Sequence, residues 1–182
     1  MKSKAIDQSR WIREALERYQ RPLIRYAYRI TGDLERARDI VQDTFLRLCR
    51  QPAESVQDHL AQWLYKVCRN RALDVLKQEN RMTSLDIMPT AVWESSAPDP
   101  SVGLEKREQL RQVAQILDGL SENQREVVRF RFEGGLSYRE ISQVTGLSVS
   151  NVGFLLHTAL KNIRERMQQS APSSRSHIRR AK

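Results

Sequence analysis

The stretch that most constrains this chain is residues 136–163, LSYREISQVTGLSVSNVGFLLHTALKNI, which reads as two short helices joined by a tight glycine turn. Ser137 and Glu140 have the spacing of a capping box at the start of the first helix. Ile141 and Val144 supply its buried side. Gly146 falls where the chain must turn sharply, and glycine takes positive φ without steric penalty. Ser148 caps the second helix, whose Val152, Leu156, Ala159, Leu160 and Ile163 share one face. An ordinary helical hairpin has the same apolar stripe but no need of two serine caps flanking a glycine turn. The pattern predicts a helix-turn-helix, whose second helix enters the DNA major groove.

A chain of 182 residues, 40% hydrophobic and 29% charged, suits one large or two small domains. Seven glycines and little apolar alternation predict an all-α protein. The net charge of +9 suggests a polyanionic partner. Basic blocks at 1–31 and 60–81 alternate with acidic ones at 32–59 and 82–103, so a second, non-DNA partner is also expected. Cys49 and Cys68 both sit in apolar helical patterns and read as reduced core residues. With His59 they give no metal-ligand spacing, and neither a metal nor a cofactor is expected. No apolar run is long enough to span a membrane and no secretory signal is evident, so a cytoplasmic location is expected.

Along the chain, Trp11, Ile12, Ala15, Leu16 and Tyr19 mark a first helix, and Pro22 suits the first turn of a second that carries Leu23 to Ile30. Thr31-Gly32-Asp33 ends it and caps a helix over 34–50. A polar loop from Pro52 leads to a long helix over 59–80. Periodicity then fades across 82–103, a Pro- and Ser-rich linker. Helices resume over 104–117 and 122–132, the latter opened by a Ser121/Gln124 capping box, before the hairpin. The fold class is therefore two small helical domains, 1–81 and 104–168, joined by a flexible linker, with a basic disordered tail at 169–182.

Two helix faces carry further signals. In the helix from Asp33, Leu34, Ala37, Val41, Phe45 and Leu48 form the core stripe, while Glu35, Asp39, Gln42, Asp43 and Leu46 share another face. Such charges usually mean a solvated surface. An apolar Leu46 ringed by them also suits a docking anchor, and the residues alone leave both readings open. In the helix over 59–80, Leu60, Leu64, Val67, Cys68 and Val75 point inward; Gln62, Lys66, Arg69 and Lys77 line the opposite side, with Trp63, Tyr65 and Asn70 at its borders. Cations neutralise phosphates and rings stack on unpaired bases, although boundary core explains most such aromatics. Arg71 falls within the apolar arc, where Asp74 is the expected partner.

The segments RITGDLERARDIVQDTFLRL and WLYKVCRNRALDVLK resemble the region-two domain of bacterial sigma factors, and LSENQREVVRFRFEGGLSYREISQVTGLSVSNV resembles their region-four domain. With only these two domains and a short linker, the chain looks like the extracytoplasmic-function class. The resemblance implies that Asp39, Gln42, Asp43 and Leu46 dock on core RNA polymerase. It implies that Trp63, Lys66, Arg69, Asn70 and Lys77 open and read the promoter −10 element, with 51–58 receiving a flipped-out base. Promoter DNA would be read at −35 by the helix beginning at Ser148, and an anti-sigma factor is a further expected partner.

One departure matters. Family members commonly carry basic or small polar residues where this chain has Gly153, Phe154 and Leu155. The last two lie off the core stripe and would face thymine methyls, an anti-sigma partner or the tail. Recognition at −35 would then rest on Ser148, Ser150, Asn151, His157 and Lys161, with Arg139 touching phosphate. The alternative function is an autonomous helix-turn-helix regulator, which should bind duplex DNA tightly by itself, often as a dimer. No enzyme is expected: His59, His157 and His177 are scattered, no catalytic grouping is apparent, and no phosphate-cradling glycine loop occurs.

Overall fold

The computed structural model describes residues 2–82, 117 and 119–170, and every regular element among them is a helix. An N-terminal unit contains α1 (Lys2–Thr31), α2 (Leu34–Cys49), α3 (Ala53–Val56), a 3-10 turn (Gln57–His59) and α4 (Leu60–Met82). A second unit contains α5 (Glu122–Phe132), α6 (Tyr138–Thr145) and α7 (Val149–Ser170). The linker beyond Met82, the helix expected over 104–117 save its last residue, and the tail beyond Ser170 lie outside the described residues.

The expected break before Pro22 does not occur. Residues 2–31 form one helix with Pro22 inside it. Proline removes one backbone donor there. The buried stripe of Ala15, Leu23, Tyr26 and Ala27 nevertheless runs past it at helical spacing, against α2 and α4. Tertiary burial outweighs the local penalty. The turn after α1 follows its sequence: Gly32 takes φ +70, and the Asp33 carboxylate accepts from the Glu35 and Arg36 amides to cap α2.

Ala37, Val41, Phe45 and Leu48 of α2 are buried as the periodicity requires, with Ile40 and Thr44 beside them. Leu34, expected in that stripe, is exposed. Thr44 is fully buried and donates its hydroxyl to the Ile40 carbonyl, so its polar atom is satisfied. The expected loop over 51–58 instead contains α3 and the start of the 3-10 turn, with Val56 drawn into the core. In α4, Leu64, Cys68 and Ala72 are fully buried, and so is nearly all of Tyr65, which the sequence placed at the border.

The second unit follows the sequence pattern closely. Both capping boxes form, Ser121 with Gln124 and Ser137 with Glu140. Gly146 ends α6 in the left-handed conformation at φ +79. Val127, Phe130, Leu136, Ile141, Val152, Leu156 and Ala159 are its buried centre. Leu160 is more exposed than its place on the stripe implies.

The units share one continuous core. Tyr26 of α1, Tyr65 of α4 and Phe130 of α5 meet with ring centroids 5.2–5.6 Å apart, two of the three contacts edge-on. Each such ring pair contributes roughly 0.5–1.5 kcal/mol beyond its burial. The turn after α5 lies against this cluster. A Cβ at Gly134 would stand 3.0 Å from the Tyr65 ring and 2.8 Å from the Phe130 carbonyl oxygen.

Both cysteines are free thiols, but only Cys68 is buried; Cys49, the last residue of α2, falls off the helix's core stripe and is exposed. Burial pushes the Cys68 thiol up to about 12 and the Tyr65 phenol to about 12. Burial first, and Glu126 second, also raise Tyr26 well above the ordinary phenol value. A thiol reagent should therefore modify Cys49 alone in the native protein and Cys68 only on unfolding, as counted by mass spectrometry. All three buried groups are held protonated by the fold. Their contribution to stability is fully present below pH 9, the ordinary thiol value, and is lost as pH rises toward 12; alkaline titration of helical circular dichroism checks that sign.

Candidate nucleic-acid and protein interfaces

The acidic face of α2 stands clear of the core. Asp39 and Gln42 are exposed, and Leu46 is 51% exposed among them. An apolar side chain left that open, on a helix whose opposite face is fully buried, is available to a partner. Asp43 is more enclosed, because Arg71 of α4 reaches across to it, with Nε 3.5 Å from Oδ2. Arg71 was expected to pair with Asp74 one turn along its own helix. The packing of α2 on α4 offers Asp43 instead, and Asp74 is exposed. At this length the contact is a Coulombic pair rather than a made hydrogen bond. A shallow cavity of about 180 Å³ between these helices is lined by Arg36, Asp39, Ile40, Asp43, Arg71 and Val75.

Trp63, Lys66, Asn70 and Lys77 recur at spacings of three, four and seven along α4 and so share one stripe. Lys66, Asn70 and Lys77 are exposed, whereas Trp63 lies half-buried against the core. Tyr65 belongs to the inter-unit ring cluster and offers no face to a base. Arg69 also departs from the expected solvent-facing line. Its Nε and Nη2 donate to the Glu126 carboxylate of α5 at 2.9 and 3.3 Å, and the pair is about one-fifth exposed.

Glu126 is the residue of this region that sequence reasoning missed. Its Oε1 also accepts from the Tyr26 hydroxyl at 2.8 Å, so one carboxylate joins α1, α4 and α5. Burial alone would lower the Arg69 pKa; the hydrogen bond and charge of Glu126 more than offset it and hold the guanidinium charged. A second pair closes the same seam, with Arg29 Nη1 3.1 Å from Glu133. Nearby, burial and the Arg29 charge lower Arg129 to about 10. Partners some 100 residues apart in sequence leave no helical periodicity to find them by.

On α7, Val152, Leu156 and Ala159 are buried, and Ser150, Asn151, Phe154, His157 and Lys161 are exposed on the other side. Leu155 is packed partly against the core, so of this pair Phe154, 66% exposed, is the one offered outward. A Cβ at Gly153 would meet nothing closer than the Tyr138 ring at 3.8 Å; space does not require glycine there. The Ser148 hydroxyl accepts from the Asn151 amide at 3.2 Å as the helix cap. Arg139 is exposed on α6, and Lys161 lies 3.9 Å from Glu165.

Among the described residues no helix is long and apolar enough to cross a membrane, and no group of three His, Cys, Asp or Glu could hold a metal. The family model for Sigma-70 region 2 matches residues 15–82, and that for Sigma-70 region 4 matches 110–163. The chain is 31% identical over 152 residues to the ECF RNA polymerase sigma factor SigL of Mycobacterium tuberculosis, covering 81% of this chain and 83% of the relative. It is 25% identical over 167 residues to the RNA polymerase sigma factor YlaC of Bacillus subtilis, covering 90% and 96%. Two solved structures share the fold at 21% identity. They are the sigma factor RpoE in complex with the anti-sigma factor NepR from Bartonella quintana, with TM-score 0.59 and 87% and 97% coverage, and CnrH in complex with the cytosolic domain of CnrY, with TM-score 0.56 and 90% and 91% coverage. Both halves of the molecule thus match in order and over most of their length, and the chain belongs to the ECF class of RNA polymerase sigma factors, which direct promoter-specific transcription.

Proposed function

We propose that the acidic face of α2 seats this sigma factor on core RNA polymerase, that the α4 stripe opens and reads the −10 element, and that α7 reads the −35 element. The observation that carries the reading is Leu46, half-exposed among Asp39, Gln42 and Asp43 on a helix whose other side is the centre of its unit. The chain performs no chemistry of its own; the core enzyme does, in the cytoplasm. An anti-sigma factor belongs to the same reading as a third partner. The autonomous-regulator alternative is not favoured, since both sigma regions are present.

Reversing Asp39 and Asp43 to Lys should weaken assembly with core polymerase by roughly tenfold or more and abolish promoter-directed runoff transcription in vitro. A melting curve checks the fold of the variant, and Leu46→Asp, which leaves Arg71 paired, gives a second test on the same face. Unchanged assembly in folded variants would refute the docking surface.

Ser148, which caps α7, and Asn151 in its first turn should separate. Ser148→Ala lowers stability by about 1 kcal/mol through the lost cap and leaves promoter preference intact. Asn151→Ala does the converse, removing about 1–3 kcal/mol of discrimination between −35 sequences. A preference unchanged by Asn151→Ala would take that residue out of base recognition.

Phe154 is assigned to a thymine methyl in the −35 duplex, the apolar feature that the major groove presents. Replacing thymine by deoxyuridine removes only that methyl. Binding of the polymerase holoenzyme should fall roughly fourfold at the contacted position, given about 0.8 kcal/mol per buried methyl. In Phe154→Ala the deoxyuridine penalty should vanish; its persistence there would exclude the contact.

A further inference from the structure

No face assigned above uses the basic block at the start of the chain. Residues 1–31 carry eight Lys or Arg against three Asp or Glu. On α1, Arg18, Arg21 and Arg25 recur at spacings of three and four, so they form one stripe along the helix, and all three are exposed. Other surface arginines are tied down locally: Arg10, Arg36 and Arg38 each reach a carboxylate three or four residues away. Among the described residues, none of the three stripe arginines has an ion-pair partner. Arg18 lies over the Tyr19 ring, its Cζ 5.2 Å from the centroid, which steadies the guanidinium and leaves its edge donors outward.

The make-up of the stripe selects its partner. A protein-docking face carries an apolar anchor, as α2 does at Leu46. Among the described residues of α1, the large apolar side chain left exposed is Leu16, two residues from Arg18 and so on the far side of the helix. A row of guanidinium groups without such an anchor suits phosphates, each of which accepts a planar fork of donors. The seven residues from Arg18 to Arg25 span about 10 Å of helix, and one strand of nucleic acid presents a phosphate about every 3.4 Å of its axis. Three arginines therefore match about three phosphates. The stripe also adjoins α4. The Tyr26 ring, next to Arg25 in sequence, meets the Tyr65 ring, next to Lys66, with centroids 5.6 Å apart. Burial raises the Tyr65 phenol, and the Arg25 charge is near enough to oppose that rise.

We propose that Arg18, Arg21 and Arg25 form a phosphate track for the promoter strand flanking the −10 element, extending the α4 stripe without reading sequence. The track rests on the proposed −10 face of α4. It holds backbone, so it adds affinity to every promoter alike and leaves discrimination to the base-facing residues. It also gives the alternation of charge along the chain a use: basic α1 meets DNA, and acidic α2, next in sequence, meets polymerase.

The test uses the full chain assembled with core polymerase on a promoter fragment, with Arg18→Gln, Arg21→Gln and Arg25→Gln made singly and together. The salt-dependence slope of binding should fall by about 0.9 for each duplex phosphate released, or about 0.7 for each single-strand phosphate, so the triple variant should lose roughly 2–3. The ranking of promoters and the affinity for polymerase should not change. The triple Arg→Lys variant should keep the slope, and circular dichroism melts verify that each variant folds. Neutral methylphosphonates placed at the flanking phosphates should weaken binding of the wild type and leave the triple Gln variant indifferent. An unchanged slope in the triple Gln variant, or an equal methylphosphonate penalty in both proteins, would overturn the track. Weakened assembly with polymerase would make the stripe a protein contact and overturn it as well. Lys66→Gln and Asn70→Ala report on the α4 reading by itself: −10 binding untouched by them would overturn that reading, and the triple variant's slope still decides the track.

Discussion

The Glu126 carboxylate is the interaction on which the arrangement of this molecule depends. It is about one-fifth exposed and accepts from both Tyr26 and Arg69, which come from different helices of the other unit. A carboxylate this enclosed is costly without donors, and Arg69 would be equally costly without an acceptor. Each group is tolerable because the other is present. The three rings beside them exclude water and strengthen the pairing, since the same charges attract more strongly where the dielectric is low. Specific docking of the two units therefore comes from a polar contact set inside an apolar one, rather than from apolar area alone.

That arrangement sorts these polar and charged residues into two populations. Asp39, Gln42, Lys66, Asn70 and Lys77 are exposed on stripes whose opposite sides are packed, so they are available to partners without disturbing the fold. Arg29, Arg69, Glu126 and Glu133 are used between the units. Asp43 has a foot in each population, outward on α2 yet paired with Arg71. A surface charge that also anchors a neighbouring helix is better oriented than a free one.

Local physics was legible in the sequence. The helix-turn-helix, both capping boxes and the turn at Gly32 rest on interactions within four residues, and each formed as its residues dictate. Long-range choices were not. Pro22 signals a helix start, but the stripe from Ala15 to Ala27 continues through it because α2 and α4 cover both halves. Arg71 has a partner at helical spacing, and tertiary packing supplied a different one. Tyr65 reads as a boundary aromatic and became core because a second unit arrived to bury it. Leu155 was drawn partly inward while Phe154 was not: at about 100° per residue Leu155 borders the Val152–Ala159 stripe and Phe154 lies nearly opposite it, so the two were separable in the sequence. The docking of two units in particular has no signature in periodicity, since a residue's face is visible locally and its partner is not.

Helix α7, proposed above to read the −35 element, suits a subunit better than an independent binder. Its outward side carries Lys161 and Arg164, with Arg139 contributed by α6, and Lys161 is already near Glu165. Each phosphate neutralised adds only about 0.9 to the salt-dependence exponent, and proteins that hold duplex DNA alone use roughly 6–10 such contacts. A stripe of Ser150, Asn151, Phe154 and His157 offers polar and apolar groups suited to base edges but no cation for the backbone. If α7 reads the −35 element as proposed, affinity for the duplex must come largely from elsewhere, and the polymerase with which a sigma factor assembles is the available source.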